Sequence, residues 1–210
     1  MNLIRRTFPY REYNIIFILI GINIFIFLGE RFFGPSILRN FSMRPIDVAN
    51  GRIWQLVTYM FVHDSRNITH LLFNMLGLFV FGTRVERSMG SLEFLLYYFV
   101  TGTLAGFFSF LVYWFTGNHI VYLMGASGAL FAVQLAYAAM FPQSIIYIWG
   151  ILPLRAPVMV LGYTAIEVIL MLTGMNRGVA HITHLAGFVF GWAYFLVRFG
   201  INPWKAMRRY

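Results

Sequence analysis

The chain of 210 residues contains no cysteine. That absence excludes a disulfide framework, thiolate metal sites and a cysteine nucleophile. Charge is also scarce, with only 11% of residues ionic, whereas a soluble domain carries about 25%. Acidic residues are the scarcest of these, seven Asp and Glu against sixteen Lys and Arg, for a net charge of +9. No His-Glu-x-x-His string occurs and the carboxylates are poorly placed to help the histidines, so no zinc or other metal site is expected. Nothing points to a cofactor. Internal repeats and low-complexity tracts are absent.

What is present is apolar. Hydrophobic residues make up 60% of the chain, more than a soluble protein of this size can hide, so the bilayer is its natural solvent. The basic residues punctuate apolar segments and form no single run, which argues for loop charges of a membrane protein and against nucleic-acid binding. Runs of about 20 apolar residues mark spans. The sequence predicts one all-α membrane domain, residues 1–210, with six transmembrane helices at about 13–30, 68–83, 93–115, 127–141, 156–173 and 179–198. The first run follows Arg5, Arg6 and Arg11 as a signal peptide would, but it is too long for one and lacks a small-residue cleavage site, so it is read as a retained span. Residues 31–67 are too charged to cross and too apolar for a loose linker, and are expected to lie at the outer interface as short helices and loops.

Six spans put both termini on one side. That side carries Arg5, Arg6, Arg11, Arg84, Arg87, Arg155, Arg198, Lys205, Arg208 and Arg209, and the other carries Arg31, Arg39, Arg44, Arg52, Arg66 and Arg177. The positive-inside rule then makes the termini cytoplasmic.

Polar residues inside spans are expensive and each needs a reason. In Met124-Gly125-Ala126-Ser127-Gly128-Ala129, a serine among small residues opens the short fourth helix. Its small neighbours admit a substrate backbone, and the helix N-terminus offers free N–H groups to an oxyanion. The same string also fits a small-residue packing patch. A helical serine needs a base, and histidine is the usual one. His181 and His184 open the last span, three residues apart on one face, with Gly187 and Gly191 thinning the helix for close approach. His181 reads as a hydrogen-bonded interfacial residue and His184, one turn deeper, as the base. His70 and Asn74, at i and i+4 near the outer end of the second span, could form a side-chain oxyanion hole or glue helices together. Glu167, inside the fifth span, could complete a triad, line a proton path or pair across helices. His63 and His119 read as interfacial.

These residues together resemble the rhomboid proteases. The resemblance is carried by Gly125-Ala126-Ser127-Gly128, by His184-Leu185-Ala186-Gly187 and by His70-x-x-x-Asn74. It extends to Trp54-Gln55, Thr58-Tyr59, His63, Gly82-Thr83-Arg84-Val85-Glu86 and Gly90-Ser91, and covers about residues 54–191 in order. It implies a six-helix core and an intramembrane serine endopeptidase that cleaves transmembrane-helix substrates near the outer face. By that resemblance Ser127 is the nucleophile and His184 the general base and acid. His70, Asn74 and the Ser127 N–H form the oxyanion hole, Gly125 keeps the loop before the serine tight, and Gly187 permits close packing. Arg84 and Glu86 look like structural contacts at the inner end of the second helix. The family works as a Ser–His dyad, so Glu167 stands outside the implied catalytic set. Inactive relatives lack the serine or the histidine, and this chain keeps both; the alternative reading is a catalytically silent rhomboid-like binder of membrane clients. Partners are then transmembrane proteins and the lipid bilayer, and the compact core suggests a bacterial cytoplasmic membrane. Two positions depart from the family. Gln55 follows Trp54 where arginine is frequent, so an anchoring charge is missing. Phe131 stands four residues after Ser127 where tyrosine is frequent, keeping the ring without the hydroxyl.

Overall fold

The computed structural model describes residues 3–148, 150–174 and 180–208. Arg177 and Arg209, counted above among the loop charges, and the expected start of the sixth span at Val179 lie outside the described residues. The bundle consists of α1 (Ile15–Phe33), α2 (Pro35–Phe41), α3 (Pro45–Ala49), α4 (Gln55–Thr58), α5 (Ile68–Met89), α6 (Ser91–Phe115), α7 (Ser127–Met140), α8 (Ala156–Thr173), α9 (His181–Phe199) and α10 (Pro203–Met207). Helices α1, α5, α6, α8 and α9 are long and apolar enough to cross a bilayer. Helix α7 has 14 residues and so is about 21 Å long, roughly 9 Å short of a hydrocarbon core.

The short helix is the centre of the fold. From Gly128 to Ala139 every residue of α7 except Phe131 is buried. Alanine dominates this stretch, which lets α5, α6 and α9 approach it closely. Apolar side chains of the outer helices, among them Phe25 on α1, Phe107 on α6 and Ile169 on α8, face outward as lipid-exposed surface. Helix α5 runs on to Met89, beyond the 83 expected, because a π-helical segment at Leu78–Gly82 continues into Thr83–Met89 instead of ending the helix. The connector after α7 is not simple loop. Ile145–Ile148 (β1) pairs antiparallel with Leu152–Arg155 (β2), Ile145 opposite Arg155. Three isoleucines and a tyrosine suit a strand.

The two ends of the bundle are tied differently. At one end Glu86 accepts the backbone N–H of Ile15 (2.7 Å) and Ile16 (3.0 Å), which caps α1. Arg84 reaches Tyr137 Oη (3.1 Å) and Ser144 Oγ (3.0 Å) there. Glu93 accepts two hydrogen bonds from Arg198, each of 2.8 Å, and Arg198 also donates to the carbonyl of Ile4. The N-terminal segment, Arg84, Arg87 and Arg198 therefore share one end. At the other end, residues 34–67 fold over the bundle as short helices. Met43 and Leu123 exchange 2.9 Å backbone hydrogen bonds, and Ile46 N–H donates to the carbonyl of His119.

Candidate active site

Close approach of α7 and α9 builds the site. A side-chain carbon on Gly187 would stand 1.9 Å from the carbonyl oxygen of Gly128, so only glycine fits there. One turn along, Thr183 Oγ1 is 2.7 Å from Ser109 Oγ on α6. A side-chain carbon on Gly128 would stand 2.9 Å from Thr183 Cγ2, so the N-terminal turns of α7 and α9 lie side by side. Ser127 Oγ then lies 2.7 Å from His184 Nε2, the distance of a hydroxyl donating to an unprotonated ring nitrogen. Ser127 is the first residue of α7, whose leading N–H groups have no partner within the helix.

The other expected residues gather around this pair to different degrees. The Phe131 ring stacks on the His184 imidazole, with centroids 4.6 Å apart and planes within 7°. Gly125 has φ +112°, a conformation that other residues avoid, and its N–H donates to the carbonyl of Tyr59 (2.9 Å). A side-chain carbon there would come within 2.7 Å of His70 Nε2 and 3.8 Å of Ser127 Oγ. His70 is thus beside the serine only because Gly125 is bare. Asn74 is buried, but its Nδ2 donates 2.8 Å back to the carbonyl of His70, and its Oδ1 has no hydrogen-bond partner among the described residues. No hydrogen bond joins Asn74 to Ser127 or Gly125 among the described residues.

Two residues take places that sequence reasoning missed, and a third has partners that it did not name. His63 is fully buried, not interfacial, and its ring lies 5.1 Å from that of His70 at the centroids. Burial, and the neighbouring His70 after it, push the His63 imidazole down to about 3, so it is neutral at physiological pH. Its backbone N–H donates to Glu30 Oε1 (3.2 Å). Gln55 is also fully buried: it accepts the N–H of Arg44 (3.0 Å) and donates to the carbonyl of Arg39 (3.2 Å). The anchoring role thought missing with the arginine is held by an uncharged amide. Glu167 lies with one carboxylate oxygen 2.5 Å from His181 Nδ1 and the other 3.1 Å from His184 Nδ1. The sequence offered a triad, a proton path or a pairing across helices for this carboxylate, but helical period says nothing about which neighbouring helix it meets. His119 is held by its ring to the carbonyl of Trp114 (2.9 Å).

The arrangement has the parts of an acyl-transfer site: a hydroxyl, a base aligned on it, backbone donors and an imidazole beside them. Among the described residues no group of three or more His, Cys, Asp and Glu side chains is set to hold a metal ion.

Comparisons with known proteins agree with the motifs. A family model described as the Rhomboid domain matches residues 50–201, more than half of the chain. RHOMBOID-like protein 12, mitochondrial, of Arabidopsis thaliana is 29% identical over 184 residues, covering 77% of this chain and 52% of that protein. Rhomboid protease AarA of Providencia stuartii is 30% identical over 163 residues, covering 67% and 54%. Rhomboid protease GlpG of Haemophilus influenzae is 26% identical over 103 residues, covering 49% and 53%. The chain spans about half the length of the curated relatives it matches.

Proposed function

The chain belongs to the rhomboid family of membrane proteins, and from that premise we propose that it is an intramembrane serine endopeptidase working through Ser127 and His184. The observation that carries this reading is the 2.7 Å contact between Ser127 Oγ and His184 Nε2 at the start of a short buried helix. We read residues 1–210 as one domain.

In the proposed reaction a substrate helix unwinds and presents a peptide carbonyl to Ser127. Its Oγ attacks the carbonyl carbon while the hydroxyl proton passes to His184 Nε2. The negative oxygen is held by the Ser127 N–H, His70 and the Asn74 amide. Collapse breaks the C–N bond, and the amine leaves with the proton from Nε2. Water then attacks the acyl-enzyme and gives its proton to Nε2; the acyl C–Oγ bond breaks as that proton returns to Oγ, releasing the new carboxyl end and restoring Ser127 and His184. Helix α7 is about 9 Å shorter than the hydrocarbon core, which would set Ser127 below one surface, where water reaches it and lipid still surrounds the substrate. The basic end holding Arg84, Arg87 and Arg198 would be cytoplasmic, in a bacterial inner membrane, with residues 34–67 outside. Cleavage then falls near the outer face.

The purified protein should label with a fluorophosphonate probe and cleave a reporter bearing a glycine- and alanine-rich transmembrane segment. Ser127→Ala should lose both while keeping its melting temperature. A folded wild type that neither labels nor cleaves would leave the silent membrane-client binder as the reading; cleavage by Ser127→Ala would refute the mechanism.

A further inference from the structure

His184 Nε2 faces Ser127, so in the reactive tautomer the ring proton sits on Nδ1. That nitrogen is buried and has no aligned hydrogen-bond acceptor among the described residues. A buried N–H without an acceptor is costly, and one that turns the ring away from the serine would be preferred. The atom nearest to supplying the need is Glu167 Oε1, 3.1 Å from Nδ1 but off the N–H axis. The other oxygen of the same carboxylate is 2.5 Å from His181 Nδ1, which fixes the carboxylate against rotation. Side chains of all three residues are nearly buried, at 8% exposure for His181, 14% for Glu167 and 11% for His184. Helix α8 offers little else to the bundle: its buried residues are Ala156, Met159 and Val160, all in its first turns, and Glu167 lies beyond them. A carboxylate in such a span needs a function or a partner, and both of its oxygens point at imidazoles.

We propose that Glu167 is a positioning residue for His184, completing a Ser127–His184–Glu167 relay in which His181 holds the carboxylate in place; the proposal rests on the reading of Ser127 and His184 as nucleophile and base. Glu167 keeps the proton on Nδ1 and so leaves Nε2 free to accept from Ser127. When the serine proton arrives on Nε2, the ring becomes a cation beside a fixed anion, and the pair is neutral overall. No proton moves to Glu167. The off-axis contact tightens when the ring carries that charge, as catalytic hydrogen bonds do between resting and reacting states. The Phe131 ring restrains the plane of the imidazole, and Glu167 fixes which edge faces the serine.

The test uses the full chain in detergent, with fluorophosphonate labelling and kcat and KM for the transmembrane reporter. Glu167→Gln should lower both the labelling rate and kcat by about 10- to 100-fold with KM within about twofold, because the effect is on charge and orientation in the transition state. Glu167→Asp keeps the carboxylate one methylene further back and should recover part of kcat at the same KM; if Glu167→Gln does not fold, a lower kcat at unchanged KM in folded Glu167→Asp is the deciding result. An active wild type with Glu167→Gln labelling within twofold of it would overturn this proposal alone, as would a loss confined to KM. A folded wild type that does not label overturns the dyad reading and this proposal with it.

Discussion

A single methyl at Gly187 should disable the site. Gly187→Ala adds a carbon 1.9 Å from the carbonyl oxygen of Gly128. Close helix contacts of this kind sit at a C···O distance of about 3.3 Å, so α7 and α9 must separate by about 1.4 Å at that point. The obstacle is backbone inside a buried helix, which cannot rotate away as a side chain would. Alanine gains about 1 kcal/mol over glycine in helix propensity. Overpacking a tight core costs about 1–3 kcal/mol, and a backbone clash belongs at the upper end, so the net effect is destabilising by about 1–2 kcal/mol. The consequence for chemistry is larger. Gly128 adjoins Ser127 and Gly187 is one turn from His184, so the separation reaches the 2.7 Å contact almost undiminished. It would carry Oγ and Nε2 beyond hydrogen-bond range, and a misplacement of about 1 Å reduces rate about 100-fold. Fluorophosphonate labelling gives the rate, and thermal unfolding in detergent gives stability. The control is Gly162→Ala on α8, where an added carbon meets nothing within 4 Å, and which should leave the labelling rate unchanged and the melting temperature equal or slightly raised. Labelling of Gly187→Ala within twofold of wild type would refute the argument that the glycine contact sets the spacing of the pair.

Two further outcomes follow from neighbouring contacts. Phe131→Ala removes the ring stacked on His184, an interaction of about 0.5–1.5 kcal/mol, and should lower kcat about 2- to 10-fold with KM unchanged, whereas Phe131→Tyr, which keeps the ring, should remain near wild type. His63 sets a pH dependence: its folded value of about 3 lies below the ordinary 6.5, so the unfolded chain binds the extra proton. The stability it contributes is complete above about pH 6.5 and is lost as pH falls towards 3, at up to about 1.4 kcal/mol per pH unit. Melting temperatures at pH 7, 6 and 5 should fall more steeply for wild type than for His63→Asn; parallel curves would show that His63 is not the group responsible.

The sequence made the membrane and the serine–histidine motifs legible for a physical reason. Span length and charge exclusion are imposed by the bilayer, and they write themselves into the chain as long apolar runs. Ser127 and His184 stand out because polar residues at the glycine-lined starts of two such helices have few structural uses. What stayed hidden was tertiary pairing. His63 looked interfacial by polarity, yet it is buried against the His70 ring, and nothing local in its segment announces that. Gln55 looked like the loss of an anchor because charge was the expected means of anchoring; its amide holds the Arg44 N–H and the Arg39 carbonyl without one. Glu167 was visible as an anomaly, but its two histidine partners sit fourteen and seventeen residues away on another helix, and helical periodicity carries no information across that gap.

These hidden contacts have a common direction. Glu30 on α1 accepts from His63, and His63 packs on His70. Tyr59 accepts the N–H of Gly125, and its own hydroxyl donates 2.7 Å to the carbonyl of Gly102 on α6. Gln55 ties the segment that carries Tyr59 back to Arg39 and Arg44, and Met43 pairs with Leu123, two residues before Gly125. Residues 34–67 therefore lead by several routes to the same two places, the bare backbone of Gly125 and the ring of His70. Helix packing alone explains how Ser127 meets His184, since Gly128 and Gly187 suffice for that. It does not explain why the bare backbone of Gly125 stands beside the His70 ring, since the Gly125 N–H is held by the Tyr59 carbonyl and the His70 ring by that of His63, both from the segment outside the bundle. The hydroxyl–imidazole pair is thus a product of the core helices, and the oxyanion side of the site is a product of the segment that folds over them. Damage to the segment should weaken the second while sparing the first.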